Sequence, residues 1–68
     1  MPTRIFIVPT ANDIEAIETI NARLEQVIGV LKVEVTTHNT EVRVRYQKPA
    51  GETGLIQVIE AAGYPVTQ

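Results

Sequence analysis

The side chains of this chain that could take part in chemistry are few. The sequence holds one histidine and no cysteine, so neither a thiolate nucleophile nor a thiolate metal site is available. The carboxylates of Asp13 and Glu15 and the imidazole of His38 predict at most a borderline oxygen and nitrogen site for a divalent cation such as Zn(II). Acids are also favoured in the first turn of a helix, and polar residues are common in exposed turns. We favour this structural interpretation, under which no cofactor is expected.

Nucleophilic catalysis is not predicted either. No base and orienting acid accompany any of the threonines in the predicted turns, and a lone histidine cannot supply a triad or a proton relay. We therefore expect that the protein is not an enzyme.

Length and composition predict a single domain spanning residues 1–68. A chain of 68 residues without cysteine, 44% of them hydrophobic, must be held together by one compact core. No segment approaches the roughly 18 apolar residues of a membrane span, and the short apolar run near the N-terminus ends at Pro9, unlike a signal peptide. A net charge of −2 argues against nucleic acid as the main partner. These features predict a cytoplasmic protein that does not insert into the membrane.

The first half of the chain predicts a strand, a loop and a helix. Residues 4–8 are mostly β-branched or aromatic, and the loop "PTAND" at residues 9–13 follows them. Thr10 and Asn12 are both candidate N-caps, of which we favour Asn12, and Gly29 is predicted to end the helix as a left-handed cap. Apolar residues recur between them at helical spacing. The predicted buried stripe consists of Ile14, Ile17, Ile20, Leu24 and Val27.

The second half predicts a hairpin, a helix and a short last strand. Residues 30–35 and 41–46 alternate between apolar and polar types, and the turn between them contains Asn39, a residue type able to adopt a positive φ. A helix over residues 55–62 ends at Gly63, and residues 64–66 form an edge strand, because Pro65 cannot donate a ladder hydrogen bond. The residues predicted to face inward from the hairpin are Leu31, Val33, Val35, Val42, Val44 and Tyr46.

The resulting order β-α-β-β-α-β predicts an α+β, ferredoxin-like sandwich. In this fold a four-stranded antiparallel sheet has strands one and three in the centre, and both helices cover one of its faces. The loops at residues 9–13, 37–40 and 63–64 then gather at one end of the molecule, which is where a loop-built ligand site is expected.

The other face of this sheet is predicted to be open. Alternation leaves two of the four apolar residues of the first strand (Ile5 and Ile7, or Phe6 and Val8) on it, beside Arg43 and Arg45 of the third. Exposed isoleucines next to arginines are typical of a partner interface. The alternative is an ordinary solvated face on which the arginines pair with Glu34 and Glu41, with Arg4 and Lys32 beside them.

Several short stretches resemble the heavy-metal-associated domain family, which includes small copper chaperones and the N-terminal modules of metal-transporting P-type ATPases. These stretches are Gly29-Val30, Val33-Glu34-Val35, Val42-Arg43-Val44, and "IEAAGYPV" at residues 59–66. The resemblance covers nearly the whole chain and implies the fold predicted above. It also implies that Tyr64 lies near the first loop, and that Phe6 and Val8 face inward, which leaves Ile5 and Ile7 on the open face.

The same resemblance implies a missing metal site. The family binds soft cations in a Met-x-Cys-x-x-Cys loop, and counting back from Gly29 at the family's usual spacing places these positions on Ala11, Asp13 and Ala16. Both thiolates are therefore absent, and binding of Cu(I) is not expected.

Three functions remain open at this point. The first is a degenerate, non-catalytic protein-interaction or regulatory module linked to metal transport or homeostasis. Its partner would be a protein such as a metal-transporting ATPase or related domain, or a second copy of the chain. The second is a metal-binding or metal-chaperone protein that uses Asp13, Glu15 and His38 in place of cysteines. The third, a small-molecule-sensing module, is weakest, because its usual Asp-x-x-Gly first loop is absent.

Overall fold

The chain folds into two helices and a three-stranded antiparallel sheet, in a computed structural model that describes residues 2–67. The elements in chain order are β1 (Thr3–Ile7), α1 (Ile14–Glu25), β2 (Val30–Thr36), β3 (Glu41–Tyr46) and α2 (Glu52–Ala61). The sheet order is β1-β3-β2, which places β3 in the centre as predicted, whereas β1 lies at an edge and not in the centre. No helix among the described residues is long and apolar enough to span a membrane.

The core lies between one face of the sheet and the two helices. Phe6 of β1 is paired with Val42 of β3, and Val44 is paired with Val33 of β2. Phe6, Val42 and Val44 are fully buried, whereas Arg43 and Arg45 between and beyond them are exposed, as alternation along a half-buried strand requires. Each fully buried large apolar side chain stabilises the fold by about 1.5–3 kcal/mol. The fully buried residues are Phe6, Val8, Ala11, Ala16, Ile20, Leu24, Val42, Val44, Leu55 and Ile59.

The predicted fourth strand at residues 64–66 is not formed. Pro65 has no N–H, and the N–H of Val66 donates to the carboxylate of Glu60 (3.4 Å) instead of to a neighbouring strand. One backbone bond, from the Thr67 N–H to the Ile7 carbonyl (3.0 Å), holds this segment beside β1. The segment therefore covers the β1 edge without building a ladder.

Helix α1 differs from the prediction at its beginning. It starts at Ile14, and its N-cap is Asp13 rather than Asn12. Ile14 was predicted to be buried but is 71% exposed, because the buried stripe of Ala16, Ile20 and Leu24 runs along a different side of the helix. The fully buried positions, Ala16, Ile20 and Leu24, are spaced by one turn each, with Ile17 only half-buried.

Strand β2 contains an irregularity that the alternation did not predict. The pairing shifts between Val30, opposite Tyr46, and Lys32, opposite Arg45, so that Leu31 is an extra residue on the β2 side. Leu31 was predicted to face inward but is 47% exposed, whereas Val30 packs against the core. Because of this extra residue, Val33 and Val35 face the same side of the sheet as Val30, and both pack against the core.

Two tight connections also differ in detail. The α1 helix ends at Glu25, so Gly29 does not cap it; Gly29 has a φ of +104° where the backbone meets the turn after β3. A Cβ at Gly29 would collide with the carbonyl oxygen of Gln47. In the β2–β3 turn the residue with positive φ is Thr40 (54°), not Asn39, and its carbonyl accepts a bond from the Val8 N–H (2.9 Å). That bond ties the turn to the end of β1.

Candidate functional site

The first loop is anchored from within. Ala11, the position that the resemblance assigns to methionine, is fully buried, and its N–H donates to the Val8 carbonyl at 2.9 Å. The Asn12 N–H donates to the Thr10 carbonyl at the same distance, which makes a second tight turn. The loop therefore holds its shape through backbone bonds and the burial of a small apolar residue.

Asp13 and Ala16, the positions that the resemblance assigns to cysteines, both have structural roles. The Asp13 side-chain oxygen Oδ1 accepts a hydrogen bond from the Ala16 N–H at 2.9 Å, which satisfies one of the free donors of the first helical turn. Ala16 is fully buried in the core. A carboxylate and a methyl group thus stand in place of two sulfur ligands, and neither is a ligand for a soft cation.

The other two predicted ligands, Glu15 and His38, are exposed. Glu15 lies in the first turn of α1, and His38 lies in the β2–β3 turn. Within residues 2–67, no three histidine, aspartate or glutamate side chains come together in a group that could hold a metal ion. Binding of a divalent cation by Asp13, Glu15 and His38 stays a prediction.

The open face of the sheet brings together the residues predicted to form an interface. Ile5 of β1 is 39% exposed and lies opposite Arg43, while Ile7 is half-buried and lies opposite Glu41. Arg45 lies between Thr3 on one side and Lys32 on the other. The three cross-strand rows of this face are Thr3–Arg45–Lys32, Ile5–Arg43–Glu34 and Ile7–Glu41–Thr36. We call these nine residues the open face.

The charges of the open face are not neutralised by close ion pairs. In the part of the chain that the structure describes, the one ion pair within 4 Å joins Arg4 to Glu52 of α2. Arg4 therefore lies away from the open face, contrary to one of the arrangements considered from the sequence. Glu34 lies opposite Arg43 in the register but does not approach it within ion-pair distance. A shallow concavity of about 190 Å³ results, lined by Thr3, Lys32, Glu34, Arg43 and Arg45.

Lys32 and Glu34 of β2 were both considered from the sequence as neighbours of Arg43 and Arg45. Both are exposed on the same face, two residues apart, and β2 lies at the edge of the sheet. Their alternation with Val33 and the edge position of their strand were both predicted from the sequence; the structure adds that neither side chain forms an ion pair within residues 2–67. Tyr64 is half-buried and packs against the core, and its N–H donates to the Ile59 carbonyl at 3.3 Å.

Comparison with known proteins adds structural relatives only. No protein-family profile and no curated protein matches the sequence. Among solved structures, a CopZ metallochaperone is similar with a TM-score of 0.88 and 22% identity, over 97% of this chain and 100% of that one. The yeast copper transporter domain Ccc2a is similar with a TM-score of 0.91 and 23% identity, over 97% and 92% of the two chains. Oxidized MerP from Ralstonia metallidurans CH34 is similar with a TM-score of 0.85 and 27% identity, over 98% and 97%.

These similarities extend over nearly all of each chain, which confirms the resemblance inferred from "IEAAGYPV" and the strand residues. The sequence at the same time contains no cysteine. The chain thus has the ferredoxin-like fold of the heavy-metal-associated domains and lacks their Cys-x-x-Cys motif.

Proposed function

We propose that this protein is a non-enzymatic interaction module of metal homeostasis, which docks an acidic surface of a partner protein on its open face and carries no soft metal ion. The single observation that carries this proposal is the set of unneutralised cations beside an exposed isoleucine. No carboxylate among residues 2–67 lies within 4 Å of the Arg43 or Arg45 side-chain nitrogens. Ile5, which lies opposite Arg43 on β1, is 39% exposed.

The distribution of charge over the molecule supports an acidic partner at this face. The open face carries Lys32, Arg43 and Arg45 against Glu34 and Glu41. Helix α1 on the opposite layer carries Glu15, Glu18 and Glu25 against Arg23. An acidic partner is attracted to the sheet side and repelled by the helix side, which orients the encounter.

The first loop supports a role without metal transfer. Its three equivalent positions serve packing and capping: Ala11 and Ala16 are in the core, and Asp13 accepts the bond from Ala16. The fold is thereby retained without the metal ligands of the family. Loss of the cargo site with retention of the domain is what a docking or regulatory module requires.

The link to metal homeostasis rests on the structural relatives. They include proteins described as metallochaperones and a copper binding domain of a P-type ATPase. A metal-transporting ATPase or a related domain in the cytoplasm is therefore the class of partner that we propose.

A titration with an acidic probe tests the docking face. Polyglutamate peptide added to isotope-labelled protein is expected to shift the amide resonances of β1 and β3 and to lose this effect at high salt, because screening weakens exposed charge contacts. Arg45→Gln should weaken the binding by several-fold, and Arg23→Gln on α1 is the matched control that should leave it unchanged. A soluble metal-binding domain of a P-type ATPase is then the specific probe.

Two outcomes would contradict the proposal. Shifts confined to α1 and the first loop would place the contact on the wrong layer of the molecule. Equal weakening by Arg45→Gln and Arg23→Gln would show that only the overall charge matters, and that the open face has no particular role.

A further inference from the structure

The free edge of β2 carries a self-complementary pattern of charges. Within the described part of the chain β2 pairs only with β3, so the backbone of its other edge faces no strand. Lys32 and Glu34 flank Val33, and both side chains are on the open face. Exposed strand edges are templates for pairing with another chain.

We infer that two copies of this chain pair antiparallel through their β2 edges, with Val33 of each copy opposite Val33 of the other. Opposed residues of an antiparallel pair lie on the same face, so this register places Lys32 opposite Glu34 of the second copy, and Glu34 opposite its Lys32. The two sheets then join into one continuous sheet. This inference goes beyond the docking of an acidic partner and does not depend on it.

The charges favour this register over the neighbouring registers in which the two β2 strands could pair. A two-fold pairing centred on Lys32 would place two ammonium groups opposite each other, and one centred on Glu34 would oppose two carboxylates. A shift by one residue would turn the half-buried Val33 and Val35 toward the wrong face of the second copy. Only the register centred on Val33 pairs unlike charges on the open face while keeping the valines on the helix side.

The second copy also supplies a carboxylate partner for Lys32. Lys32 lies opposite Arg45, a like charge, and has no carboxylate within 4 Å among residues 2–67. In the pair, Glu34 of the second copy lies on its other side. Each Glu34 in turn lies between Arg43 of its own chain and Lys32 of the second copy, so that acids and bases alternate across the junction. Leu31, 47% exposed at the bulge, adds apolar surface next to the junction.

Charge reversal at one position should break the pair, and exchange of both charges should restore it. Sedimentation at millimolar concentration is expected to show a dimer for the unaltered protein. In the Lys32→Glu variant, the new carboxylate of each copy lies opposite Glu34 of the other, and the two-fold symmetry makes two such repulsive contacts. Association should therefore weaken by about tenfold or more. The double variant Lys32→Glu with Glu34→Lys keeps the pattern self-complementary and should recover most of the association.

Unfolding of the Lys32→Glu variant cannot account for the expected loss of association. In the single chain Lys32→Glu replaces a like-charge neighbour of Arg45 by an opposite one, so this variant should be at least as stable as the parent. Arg23→Glu, a reversal on α1, is the control for overall charge and should leave the dimer intact. Concentration-dependent protection of the Val33 amide from hydrogen exchange would locate the contact on β2.

Three results would overturn the inference. The first is a strict monomer at millimolar concentration. The second is a double variant that associates no better than Lys32→Glu alone. The third is a dimer that survives Lys32→Glu and is lost in Ile5→Ser, which would place the contact on the open face instead of at the β2 edge. None of these results would touch the binding of an acidic probe by Arg45, which is measured separately.

Discussion

Replacement of Asp13 by alanine should destabilise the domain through the loss of one hydrogen bond. Asp13 has the extended backbone of an N-cap (φ −145°, ψ 174°), and its Oδ1 accepts from the Ala16 N–H at 2.9 Å. Without that acceptor, the backbone N–H of the buried Ala16 loses its partner. Removal of such a cap costs about 1 kcal/mol. In a domain of this size, this corresponds to a fall of roughly 4–8 °C in the melting temperature.

Two matched variants make the measurement specific. Asp13→Asn keeps the accepting oxygen and should cost only a few tenths of a kcal/mol, because asparagine is as good an N-cap as aspartate. Asn12→Ala, one residue earlier and exposed, removes the side chain that the sequence favoured as the cap and should have little effect. Urea denaturation monitored by circular dichroism would provide all three free energies of unfolding. A larger loss for Asn12→Ala than for Asp13→Ala would refute the capping geometry.

Two further predictions concern metal and the backbone. We expect no one-to-one Cu(I) complex in competition with a chelator, because the chain has no cysteine. Asp13→Cys combined with Ala16→Cys should create Cu(I) binding. A double variant that folds but does not bind Cu(I) would show that the loop is misaligned with the family. Gly29→Ala should cost about 2 kcal/mol or more, because φ is +104° and the added Cβ meets the Gln47 carbonyl. Gly63→Ala is its control in thermal unfolding, since φ is +98° there but no atom lies within 4 Å of the added Cβ; equal costs for the two would exclude the collision.

Local patterns in the sequence were sufficient for the element order and for most of the core. The alternation of Val42 and Val44 with Arg43 and Arg45 predicted which face of β3 is buried, because side chains on a strand alternate regardless of the fold. Helical spacing in the same way predicted the burial of Ile20 and Leu24. The absence of thiol chemistry also follows from the sequence alone, since no arrangement of this chain can supply a cysteine.

Features that depend on neighbouring segments were decided by the tertiary structure. Ile14 continues the helical stripe in sequence, but α1 buries the side that carries Ala16, Ile20 and Leu24, and Ile14 is exposed. Leu31 continues the alternation of β2, but the pairing with β3 makes it the extra residue of a bulge. The last segment had the composition of a strand, yet it makes a single backbone bond to β1.

The candidate surfaces likewise combine features that the sequence predicted with features that the tertiary structure decided. Alternation along β3 assigned Arg43 and Arg45 to one face, and the family resemblance placed Ile5 beside them. The predicted fold already placed β2, with Lys32 and Glu34, at an edge of the sheet, and the order β1-β3-β2 confirms this. That Arg4 is drawn away to Glu52 follows from the placement of α2 beside β1. Periodicity reports which side of an element is buried, whereas the neighbours of a charge are set by contacts between residues far apart in the chain.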